Sequence, residues 1–119
     1  MALAQRVDEG VASAEDVDKA VTYGFGLRFA VLGLLEFIDW GGGDTLFYAS
    51  QYMAEAMKDE RFRAPEVVVR NREAGRIGLR SGSGFLDYDN LDIEEYRKER
   101  LGRFLGMLDH LGLTRPPVE

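Results

Sequence analysis

The chain has 119 residues, a formal net charge of −6 and no cysteine. That length suits one domain with a modest core and leaves no room for a cofactor domain beside a substrate domain. Disulfides, thiolate catalysis and sulfur-ligated metals are excluded by composition, and the acidic balance argues against a nucleic-acid surface, which needs a clustered basic footprint.

The N-terminal MALAQRVDEG reaches charge within six residues and has no apolar run, so no signal peptide is expected and the cytoplasm is the expected location. Met1 to Glu9 reads as the last turns of a helix closed by Gly10. It starts abruptly, without a cap, and the element is expected to extend further upstream. Ser13 with Glu15 and Asp16 then opens a second helix, whose Ala14, Val17, Ala20 and Val21 share a face and which is expected to end near Gly24.

Residues 24–28, GFGLR, are expected to link into a third helix, Val31 to Trp40, which is apolar on nearly every side apart from Glu36 and Asp39. A helix hydrophobic all round belongs in an interior, and this one is too short for a bilayer, which needs about 20 residues. It is therefore expected to be the buried centre of the fold, with no membrane involved. Gly41 to Gly43 stop it, Asp44 caps the next helix, and Leu46, Ala49, Met53, Ala56 and Met57 recur at helical spacing to about Met57. Pro65 suits a first helical position, and the helix it opens closes at Gly75, although Val67 to Val69 are β-branched.

Gly75 to Tyr88 has no helical period and reads as an ordered loop or short hairpin. Asp92 to Glu95 opens the last helix, with Ile93, Tyr96, Leu101, Phe104, Leu105, Leu108 and Leu111 in one wide stripe, and Gly112 ends it. The expected class is all-α: a compact bundle of five or six helices around a buried central helix, with a Gly-rich loop before the last one. Residues 1–119 form a single helical domain in this reading.

Candidate chemistry is sparse. None of the three glycine clusters has the strand–G-x-G-x-x-G–helix context of a dinucleotide site, so they read as caps and turns. His110 is the only histidine and has no visible partner for catalysis or metal binding. Asp87 and Asp89 resemble half a calcium loop without its terminal glutamate and read as a turn. Glu36 and Asp39 form an i, i+3 carboxylate pair, which suits acid–base work or metal ligation; acids at such sites are more often held by an arginine, here Arg28 or Arg80, or by the free amides of a neighbouring helix. The aromatics Tyr23, Phe25, Phe29, Phe37, Trp40, Phe47, Tyr48 and Tyr52 read mostly as core, with the rest facing a partner or an apolar ligand.

Four blocks in order carry a family likeness: Glu9 to Asp18, then G-x-G-L-R-x-A-x-x-G-x-L-E from Gly24 to Glu36, then Gly42 to Asp44, and G-R-x-G-x-x-S-G-x-G-F-x-D-Y from Gly75 to Tyr88. Over about residues 1–90 the chain resembles the C-terminal domain of 3-hydroxyacyl-CoA dehydrogenases; residues 91–119 add a last helix and tail. The resemblance implies a domain that makes a homodimer and covers an acyl-CoA or hydroxy-acid substrate. NAD and the catalytic His–Glu pair belong to a Rossmann domain or subunit that this chain does not contain. The family's substrate-side asparagine lies upstream of its E-G, where this chain has none, so no catalytic residue carries over and no cofactor is assigned to this chain. Its R-x-A-x-x-G segment, Arg28 to Gly33, looks like the branch with lambda-crystallin, gulonate dehydrogenase and carnitine dehydrogenase, whose substrates are free acids. On that likeness Arg28 reads a carboxylate, or else pins Glu36 or a helix end. Phe25, Phe29 and Trp40 are candidates for pocket wall or interface. The alternative is a non-enzymatic helical interaction module that keeps only the dimer surface.

Overall fold

The computed structural model describes residues 1–118. Among them there are six helices and no strand: α1 (Ala2–Asp8), α2 (Ala14–Val31), α3 (Leu34–Gly41), α4 (Gly43–Met57), α5 (Glu66–Glu73) and α6 (Ile93–His110). The all-α expectation and the count hold. No single helix among the described residues is long and apolar enough to cross a membrane. The chain divides into two units, one comprising Met1–Leu32 with the segment from Lys98 onward, the other Gly33–Arg97.

In the first unit α1 ends at Gly10, whose φ of +70° is the left-handed cap that glycine adopts without strain. Ser13 Oγ accepts from Asp16 N at 3.1 Å and starts α2. This helix does not end near Gly24, nor is GFGLR a linker. Val21–Gly26 continues it as a π-helical segment, and Leu27–Val31 returns to α geometry. Its glycines allow the wider turn: a Cβ on Gly26 would lie 3.1 Å from the Val21 carbonyl oxygen. The unit has little core of its own, since only Leu27 and Leu32 fall below a tenth exposed. Leu3, Ala4, Val7, Ala14, Val17 and Val21 line an open groove of about 340 Å³ between α1 and α2.

The second unit corrects the largest expectation. Val31 to Trp40 is neither one helix nor a buried centre. Leu32 is extended, with φ −122° and ψ 120°, and Gly33 begins a new helix, α3. Glu36 sits in the first turn of α3, and its Oε2 accepts from Gly33 N at 3.1 Å, so a carboxylate read as interrupting a helix instead starts one. Leu34 and Leu35 are 60% and 49% exposed, and the buried residue of α3 is Asp39, at 2%.

The chain turns at Gly42 (φ +97°) into α4, so Gly42 rather than Asp44 holds the cap position, with Asp44 in the first turn. Phe47 and Ala54 are buried on α4, and Val68 on α5, which starts one residue after Pro65. Residues 75–88 form the expected ordered loop, drawn together by two isolated antiparallel bridges, Gly78 to Ser83 and Ser83 to Asp87. Asp92 Oδ1 accepts from Glu94 N and Glu95 N and opens α6.

Candidate functional site

Asp39 is the centre around which the second unit is built. Its Oδ1 accepts from Phe85 N at 2.8 Å, and its Oδ2 accepts from Leu86 N at 2.9 Å and from the Tyr88 hydroxyl at 3.0 Å. Three donors around one carboxylate satisfy the group that burial would otherwise penalise. Two glycines let the loop come this close. A Cβ on Gly84 would collide with the Asp39 carboxylate, and one on Gly78, where φ is +118°, would collide with the Asp39 backbone. Arg76 completes the fastening, donating to Gly84 O at 3.0 Å and to Asp87 Oδ1 at 2.9 Å.

A second network adjoins the first. Trp40 Nε1 donates to the Tyr96 hydroxyl at 3.1 Å, and that hydroxyl donates to Glu36 Oε1. The Tyr96 ring lies between Trp40 and Tyr88, at centroid distances of 5.9 and 5.7 Å. Leu79, Tyr88 and Tyr96 form the buried cluster, with Trp40 and Ile93 packed against it. The start of α6 is thereby bonded to α3.

Burial, then the hydrogen bond to Asp39 and the nearby negative charges, push the Tyr88 phenol far above its ordinary range. The folded protein therefore keeps a proton that the unfolded chain releases near pH 10. This contribution to stability is fully present below pH 10 and falls as pH rises beyond it, by up to about 1.4 kcal/mol per pH unit. Urea titrations between pH 9 and 11.5 should show the fall, and Tyr88→Phe should flatten it; an equal slope in both proteins removes the assignment.

Of the arginines expected beside Glu36 and Asp39, Arg80 is engaged elsewhere. Arg80 pairs with Asp44, its Nη2 at 2.6 and 2.8 Å from the two carboxylate oxygens. The hydrogen bond from Arg80 holds the Asp44 carboxyl below the usual carboxylate range. Arg28 is exposed on α2. One turn apart on the same helix, Phe25 and Phe29 stack with centroids 6.2 Å apart and planes 10° from parallel. Trp40, half-buried in the second unit, packs against that unit's buried cluster. The aromatic-core expectation is overturned in the main: Tyr23, Phe25, Phe37, Tyr48 and Tyr52 are exposed, whereas Phe47 is buried.

The glycine loop is no dinucleotide cradle. It follows a helix rather than a strand, and the Phe85 and Leu86 amides that could face a phosphate are taken by Asp39. His110 is exposed in the last turn of α6. No group of three His, Asp or Glu among the described residues is placed to hold a metal ion. These residues provide shape and fixed polar contacts. Tyr88 and Tyr96, whose places in the sequence mark them only as a loop residue and a stripe residue, complete the two networks.

The model of the 3-hydroxyacyl-CoA dehydrogenase C-terminal domain matches residues 1–88. The chain belongs to this family. A 3-hydroxybutyryl-CoA dehydrogenase of Mycobacterium tuberculosis is 39% identical over 82 residues, covering 69% of this chain and 28% of that protein. An L-carnitine dehydrogenase of Oceanobacillus iheyensis is 29% identical over 106 residues, covering 87% of this chain and 34% of its own. The crystal structure of a 3-hydroxyacyl-CoA dehydrogenase from Archaeoglobus fulgidus superposes with a TM-score of 0.75 at 34% identity, over 93% of this chain and 38% of that one. The chain thus spans about a third of the length of the dehydrogenases it matches. The family blocks end at Tyr88, the phenol that closes the Asp39 network, and α6 lies beyond the matched residues.

Proposed function

We propose that this chain is the substrate-covering and dimer-forming part of an NAD-dependent dehydrogenase that oxidises a 3-hydroxyl to a ketone. The observation that carries the reading is the family match over residues 1–88, supported by the similarity of fold to the Archaeoglobus fulgidus enzyme. In this reading the hydride acceptor and the catalytic base belong to a Rossmann domain or subunit, in keeping with the family match and with loop amides that are already bonded to Asp39. The task of the helical residues is orientation and exclusion of water. The exposed aromatics of α2 and α3 supply apolar surface for that covering role and for a homodimer. In this reading the protein works in the cytoplasm.

Supplying the chain with a family NAD domain should produce NADH from 3-hydroxybutyryl-CoA or from L-carnitine, with neither part active alone. Turnover by the chain alone would refute the division of labour, and no turnover by the pair with either substrate would refute the function.

Likeness to an L-carnitine dehydrogenase, whose substrate is a free hydroxy acid, favours Arg28 as a reader of carboxylate. Guanidinium offers a planar, two-pronged donor that an ammonium cannot copy. Arg28→Lys in the completed enzyme is expected to raise KM for a free acid roughly tenfold, about 1.4 kcal/mol, with little change for a CoA thioester. An unchanged KM removes this role.

A further inference from the structure

Beyond the family-matched residues, α6 carries a stripe of its own. Leu101, Leu105 and Leu111 are 54%, 62% and 52% exposed, and Phe104 and Leu108 lie half-buried beside them. Gly102 and Gly106, four residues apart, have open space where a Cβ would project, so a second backbone can approach closely. Lys98 and Asp109 are both exposed, and their spacing of eleven residues is just over three whole turns, which puts them on one flank of the stripe about 16 Å apart. A two-fold axis at the stripe's middle exchanges those two positions. Lys98 of each copy then faces Asp109 of the other, and Leu105 of each lies over the partner's Gly102.

We propose that the α6 stripe is a self-complementary surface that pairs antiparallel with α6 of a second copy of this chain. Self-complementarity is what a two-fold interface requires, because the same patch serves both sides, and a covering NAD domain would have no need of it. The proposal rests on the homodimer reading and assigns part of that contact to residues outside the family-matched span. Three turns of helix fall short of the roughly 1,600 Å² of a standard interface, so the contact is expected to be salt-sensitive and to act in the tens of micromolar.

Sedimentation of the full chain is the test. Leu105→Asp, at an exposed position, is expected to weaken self-association more than tenfold. Lys98→Asp and Asp109→Lys should each weaken it severalfold. An equimolar mixture of those two variants should recover it, since opposite charges then meet at both ends, and circular dichroism should show each variant folded. A wild-type monomer at 100 micromolar would overturn both the homodimer reading and this surface. A wild-type dimer indifferent to Leu105→Asp would overturn the α6 surface alone and leave the homodimer on the α2 and α3 aromatics. A mixture no stronger than its components would overturn the antiparallel register, and with it the proposal.

Discussion

Replacing Asp39 with alanine should cost about 3–5 kcal/mol of stability, the sum of three lost hydrogen bonds to a charged acceptor less what water restores. The substitution leaves the Phe85 and Leu86 amides and the Tyr88 hydroxyl without their acceptor, in a site where Asp39 is 2% exposed. Each donor left unpaired in a buried site costs about 1–3 kcal/mol, and water reaching the exposed Leu86 offsets part of the total. Asp39→Asn keeps the shape and one oxygen but turns an NH₂ toward a donor, so a smaller loss of about 2 kcal/mol is expected. Urea denaturation followed by circular dichroism measures both. A loss under 1 kcal/mol for the alanine variant would mean that the loop is held by something else, and Arg76 would be the residue to remove next.

Gly78→Ala should be almost as damaging, at about 3 kcal/mol or more. Its backbone lies at φ +118° and ψ −148°, a conformation essentially reserved for glycine. A methyl there would also strike the Asp39 main chain, which cannot swing aside as a flexible side-chain end could. Gly75→Ala is the control. That residue also has positive φ, at +72°, but open space around it, so its cost should be near 1 kcal/mol. Equal losses at the two positions would show that conformation alone matters and that the close approach to Asp39 does not.

The helix ends were legible because they are written in short-range chemistry. Gly10, Ser13, Asp92 and Gly112 each act within four residues of their own position, and each stands where the sequence places it. The interior of the longest apolar run was not. Periodicity treats Val31 to Trp40 as greasy all round, yet the break at Leu32 is fixed by Gly33 and by the reach of Glu36 back to its amide. Likewise, GFGLR reads as a linker because glycine is a poor helix former, although in a π-helical turn it is the residue that fits. The Asp39 network spans 46 to 49 residues of chain, and no local pattern announces a contact at that separation. Its one trace in sequence is the glycine at 78 and 84, residues whose purpose shows only once the backbone facing them is known.

The Tyr96 hydroxyl, which accepts from the Trp40 indole and donates to Glu36, gives the chain a built-in optical gauge. Trp40 is the sole tryptophan, so all of the indole emission comes from one ring whose nitrogen is bonded to the opening turn of α6. Any event that lifts that turn away, whether heat, denaturant or a docking subunit, will register as a change in colour and brightness without a label.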